Sequence, residues 1–215
     1  MATELNQIEL DITKEIINIG ISKAADSFSF FIKGKVMIRL MDIQVNFDNY
    51  FPLSRKYPMN QNYLLTTIIK GELKGQAYLL FTEEEASKIV DANMPESIRN
   101  DPEAKTQMTV GFLLEIDNII TASVVTQFSN IFQRKMYGDV PSLNILPGND
   151  INRYLSENQD KDLNVIYFNA RFITETIEIN PEFIWLMDDS FFEEVKRVVS
   201  DEKKLELLQK LNNTN

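Results

Sequence analysis

The strongest constraint on this chain is that its programme of elements occurs twice, with a period near 100 residues. A helical pattern runs over 5–32, with no Pro and one interior glycine, Gly20, and Gly34 closes it. A strand begins at 35–40, a polar loop over 48–61 carries Pro52 and Pro58 as breakers, and a hairpin follows from 63–70 and 76–81. Thr82 and Glu85 have capping-box spacing and open a short helix through Val90. The second half runs in the same order. A helical pattern over 103–136 leads through Gly138 to a strand near 143–146 and a polar loop over 147–162. Two strong strand segments follow, over 163–174 and 177–187. A last helix runs through Val199, with Asp188, Asp189 and Ser190 as caps (Ser190 and Glu193 at capping-box spacing), and 203–211 extend or follow it. Two long units are too few for an open solenoid. The expected fold is α+β, a single domain over 1–215 with an internal duplication, about 5–92 and about 103–199. Its two intertwined, pseudo-symmetric halves share one mainly antiparallel sheet of about six strands, with two long helices on one face.

A short motif keeps the same register. Glu15 and Asn18 form an E-x-x-N pair in the first long helix, and Glu115 and Asn118 repeat it 100 residues later; the spacing occurs nowhere else. At about 100° per residue, Asp11, Glu15, Asn18 and Ser22 fall within about 60° of one another, and Ser29 rejoins the stripe. Ile12, Ile16 and Ile19 flank it on one side, and Leu10, Ile17, Ile21 and Phe28 on the other. One such ridge is the wet face of an ordinary amphipathic helix. Two at the same point of a duplicated helix carry more weight.

Composition removes whole classes of chemistry. There is no Cys and no His, so thiol nucleophiles, disulfides, thiolate or imidazole zinc sites and His-based triads have no residues to use. A net charge of −10 argues against a nucleic-acid backbone as partner. No run approaches the ~20 consecutive apolar residues of a membrane span, and residues 1–6 lack the basic and apolar regions of a signal peptide, so a soluble cytoplasmic protein is expected, without membrane insertion. The seven glycines are scattered singly, and none forms a phosphate loop. Glu83, Glu84 and Glu85 read as a helix N-terminus, and Asp188 with Asp189 as a cap rather than a metal site. Phe28, Phe30, Phe31, Phe128, Phe132 and Trp185 read as core.

Asp11-x3-Glu15-x2-Asn18, continued by Ile19-Gly20-Ile21-Ser22-Lys23-Ala24-Ala25, resembles the first signature of the CheC/CheX/FliY phosphatases of bacterial chemotaxis. Glu115-Ile116-Asp117-Asn118, with Pro141 23 positions after Asn118, resembles the second signature of CheC. The resemblance spans nearly the whole chain. Two intact Glu/Asn pairs point to CheC rather than CheX, which has one, and at 215 residues the additional C-terminal domain of FliY is not expected. Met41 stands where the first signature has proline, and Gly111 where the second has Asp or Ser.

The resemblance implies hydrolysis of the aspartyl phosphate of a CheY-type receiver domain. Asn18 and Asn118 would orient the attacking water, Glu15 and Glu115 would pair with the receiver's lysine, and Asp11 would help dock the receiver. No intrinsic cofactor is expected, since the receiver brings its own Mg²⁺. The resemblance also implies a CheD-like deamidase as a further partner, with no surface assignable to it, and a monomer is expected. The competing readings are a non-catalytic adaptor that binds a receiver or a CheD-like protein, and an unrelated duplicated α+β binding protein.

Overall fold

The structure is a computed structural model that describes residues 5–31, 34–45, 59–96, 100–158 and 163–201. Most of the loop expected over 48–61, and the whole of 203–211, lie outside the described residues. In chain order the elements are α1 (Gln7–Phe31), β1 (Met37–Val45), β2 (Gln61–Gly71), β3 (Gly75–Thr82), α2 (Glu83–Asn93) and α3 (Pro102–Phe132). They continue with β4 (Met136–Gly138), β5 (Ser142–Pro147), α4 (Gly148–Asn158), β6 (Asn164–Ile173), β7 (Glu178–Ile179), β8 (Glu182–Met187) and α5 (Asp189–Ser200).

Local chemistry sets the helix starts. Asn6 and Glu9 cap α1 reciprocally: the Asn6 side chain accepts from the Glu9 N–H (3.0 Å), and the Glu9 carboxylate accepts from the Asn6 N–H (2.9 Å). Thr82 and Glu85 do the same for α2. Glu85 also accepts from the Asn180 N–H, so this cap ties α2 to the turn before β8. For α5 the cap is Asp188, which accepts from the Phe191 N–H; Ser190, expected to pair with Glu193, instead donates to Asp188.

The six strand positions read β1-β6-β8-β3-β2-β4, with every pairing antiparallel; β5 continues β4 along β2, and β7 pairs with the end of β6. With first-half strands a, b, c and their second-half counterparts primed, the order is a-b′-c′-c-b-a′. This palindrome is the signature of a two-fold relation, and it shows why the halves are intertwined: the first strand of each pairs with the hairpin of the other.

Three expectations about where elements begin and end need correction. The second long helix stops at Phe132, not near 136, because Gln133 takes a left-handed conformation (φ 55°) and the Arg197 guanidinium donates to the Phe132 carbonyl (2.9 Å). The strand expected over 177–187 is split into β7 and β8 at Asn180-Pro181, where proline brings no N–H to the ladder. The polar loop over 147–162 is largely the helix α4, whose Ile151 and Leu155 pack on Leu64, Tyr78 and Tyr167 on one face of the sheet.

The other face holds the main core, built from α1, α2, α3 and α5. Helices α1 and α3 approach so closely that a Cβ on Gly20 would lie 2.7 Å from the Val124 Cα, which is why glycine serves here. Phe28, Phe128, Phe132 and Trp185 are buried in this core as expected, whereas Phe30 is 88% exposed. The α3 helix is long and apolar enough to cross a membrane by length and composition, but here it is a packed helix whose Leu113, Ile116, Ile120, Val124 and Phe128 lie in the core.

Candidate functional site

Both E-x-x-N pairs lie on the paired helices α1 and α3, with the intervening apolar residues turned into the core. Asp11 is exposed and accepts a hydrogen bond from the Gln7 side chain (2.8 Å). Glu15 and Asn18 are half-buried, whereas Glu115 and Asn118 are exposed. The two copies thus share a register but not an environment. Burial raises the pKa of Glu15, and its Oε1 is buried without a hydrogen-bond partner. Such an oxygen is costly unless a cation or donor comes to it from outside. Among the described residues neither Asn18 nor Asn118 has a hydrogen-bond partner, so both amides are available to a ligand or water.

The second pair borders a cavity of about 300 Å³. One wall is the face of α3, with Gly111, Leu114, Glu115 and Asn118; the other is the stretch between β4 and β5, Gly138-Asp139-Val140-Pro141. Gly111 opens the cavity, because a Cβ there would meet nothing within 4 Å. Pro141 therefore lies beside the motif it follows by 23 positions. Val140 is 85% exposed at the rim, and Asp139 is held by an ion pair with Lys70 of β2. At the first pair, Met41, the residue in place of proline, is exposed on β1. Among the described residues no three acidic side chains cluster as a metal site would require.

One residue of this region was missed by reading the sequence for a polar ridge. Asp117, between Glu115 and Asn118, is fully buried. Its two oxygens accept from the hydroxyls of Thr67 on β2 (2.6 Å) and Thr121 on α3 (3.2 Å). Two residues on from Glu115 on a helix is a rotation of about 200°, which turns Asp117 towards the core, and that angle was the available signal. Burial outweighs the two hydrogen bonds and pushes its pKa up to about 6. Between about pH 4 and pH 6 the folded chain therefore keeps a proton that the unfolded chain releases. Stability falls as pH rises through that window, by about 2–3 kcal/mol, and stays lowered above it. The charged groups on the adjoining strands, Lys70 and Asp139, are paired with each other at the surface. Asp117→Asn should abolish this pH dependence and raise stability at pH 7.5, as read by urea unfolding at several pH values. An unchanged profile would show that Asp117 is not its source.

No family model and no curated protein sequence matches the chain. Solved structures do. FliY from Thermotoga maritima superposes with a TM-score of 0.70 at 16% identity, over 92% of this chain and 98% of that one. A chain of the FliG–FliM complex from H. pylori gives 0.61 at 10% identity, over 88% and 100%. The chemotaxis protein CheX from Desulfovibrio desulfuricans gives 0.50 at 17% identity, over 79% and 97%. The chain has the fold of the CheC/CheX/FliY proteins, a fold that FliM also shares.

Proposed function

We propose that this protein is a phosphatase for the aspartyl phosphate of a CheY-type receiver domain, acting in chemotaxis or related two-component signalling in the cytoplasm. The observation that carries the reading is the pair of Asn side chains, in register on two packed helices, one half-buried and one exposed, without a hydrogen-bond partner among the described residues and each one turn from a glutamate. An acyl phosphate is already activated, so no general base or covalent nucleophile is needed, and the absence of His and Cys is no obstacle. The Asn18 or Asn118 carbonyl oxygen accepts from a water and holds it in line with the leaving carboxylate. The water oxygen bonds to phosphorus, the bond from phosphorus to the carboxylate oxygen breaks, and aspartate and inorganic phosphate leave. Mg²⁺ belongs to the receiver and supplies charge neutralisation on the phosphoryl oxygens. Glu15 and Glu115 pair with the receiver's lysine and set the register of the docked helix. Asp11 adds a docking contact at the first site, and the receiver is met by the chain as a monomer.

The second reading is an adaptor that binds a receiver or a CheD-like deamidase without turnover. It is supported by the occurrence of the same fold in a complex of FliG with FliM. Turnover separates the two. With a receiver charged by acetyl phosphate, catalytic amounts of this protein should release many equivalents of phosphate; binding without release would favour the adaptor. The docking role of the glutamates has its own consequence. Glu15→Gln with Glu115→Gln should raise KM about ten-fold, one lost ion pair being worth about 1 kcal/mol or more in a water-excluding interface, and leave kcat largely intact. Steady-state kinetics against receiver concentration checks this, and a fall confined to kcat would assign the glutamates to chemistry instead.

A further inference from the structure

The buried acid of the second motif has no counterpart in the first. The residue 100 positions before Asp117 is Ile17, fully buried in the main core. A carboxylate held in an apolar core destabilises the fold, and an apolar residue serves at the matching place in the same duplicated helix. Breaches of this kind concentrate where a site needs them.

The surroundings of Asp117 say what it holds. Thr67 and Thr121 each turn a hydroxyl to the carboxylate. The methyls of the same two threonines lie under Gly138: a Cβ built there would stand 3.0 Å from the Thr67 Cγ2 and 3.8 Å from the Thr121 Cγ2. Gly138 is paired with Ile69 of β2 and begins the stretch that walls the cavity opposite Asn118. The next residue, Asp139, donates its N–H to the Ile68 carbonyl (2.8 Å). Asp117 is thus bonded to the strand that carries the far wall while its neighbour Asn118 lines the near wall.

We infer that Asp117 is a positioning residue of the second site, which fixes the rotation of α3 at Asn118 and the distance from Asn118 to the Gly138–Pro141 wall. Among the described residues the first site, with Ile17 at the matching position, has no such clamp, so the two sites of one chain are built to different tolerances. The kinetic consequence rests on the phosphatase reading above; the geometric one does not.

Two variants test it. Asp117→Asn is isosteric and weakens the clamp from within, and Gly138→Ala pushes the wall outward without touching the acid. In ¹⁵N-labelled protein, both should shift the Asn118 side-chain amide and the Val140 backbone amide, while the Asn18 side-chain amide stays in place. In an Asn18→Ala background, where the second site works alone, each should lower kcat about three- to ten-fold with KM little changed. In an Asn118→Ala background, neither should alter the rate. An unmoved Asn118 amide, or equal shifts at Asn18 and Asn118, would overturn the inference, as would equal losses of rate in the two backgrounds. If the native chain released no phosphate, the phosphatase reading would fall and the amide shifts alone would still decide the positioning role.

Discussion

Trp185→Ala is expected to cost about 3–5 kcal/mol of stability, Trp185 being among the largest fully buried side chains of this fold. Trp185 is 1% exposed at the centre of β8 and couples sheet to helix: its ring meets Phe128 of α3 edge-on at 5.8 Å and lies 6.1 Å from Phe168 of β6. Alanine would leave a cavity among rings already packed on Phe132 and Phe191, and such a site collapses poorly. For a chain of this length the loss corresponds to a fall in Tm of about 10 °C. Trp185→Phe should cost far less, about 1 kcal/mol. The indole N–H has no hydrogen-bond partner among the described residues, so phenylalanine removes a buried unsatisfied donor along with the lost volume. Urea unfolding followed by far-UV circular dichroism measures both, since this is the only tryptophan and fluorescence would be lost with it. An alanine variant within 1 kcal/mol of the native chain would contradict the packing described here.

How much of this was legible in the sequence depends on whether the signal was local. The capping box at Thr82 and Glu85 and the hairpin around 70–75 lie within a few residues of chain, and both are present as read. The duplication was legible because a fixed 100-residue register carried a rare motif with it, and the pairing of helices α1 and α3 follows from that register. What escaped depends on tertiary context. Helix α4 offers only a narrow apolar stripe, Ile151 and Leu155 with Tyr154, in a run that otherwise reads as loop. The end of α3 falls on Gln133 rather than on a glycine, so its left-handed turn has no compositional mark. The strand order needs contacts between β3 and β8, more than a hundred residues apart, which no local pattern encodes. At the site, the stripe of Asp11, Glu15 and Asn18 was readable from helical angles, and Pro141 was singled out by the resemblance to the CheC signature, whereas its place on the cavity wall needed the fold. The inward turn of Asp117 follows from the same angles, but its partner Thr67 on β2 and the unequal burial of the two pairs do not, because they depend on what the strands bring to each helix.

Replacing both Asn18 and Asn118 with Ala should bring receiver dephosphorylation down to the receiver's own rate, a loss of about 100-fold or more. Under the proposed function each asparagine serves its own site, so a single substitution closes one channel and leaves the other. The fold should hardly suffer, since neither amide has a partner among the described residues and alanine is the best helix former. The sites need not be equal. If the exposed Asp11 aids docking, the first has the lower KM; if Pro141 and the walled cavity set the geometry, the second has the higher kcat. The most direct test follows phosphate release from one acetyl-phosphate-charged receiver with the native chain, the two single variants and the double variant. Each single variant should run at a rate between the native and background values, the two sharing the native activity, and the double variant should run at background. A double variant as fast as the native chain would contradict the proposed function and leave the fold to an adaptor's role.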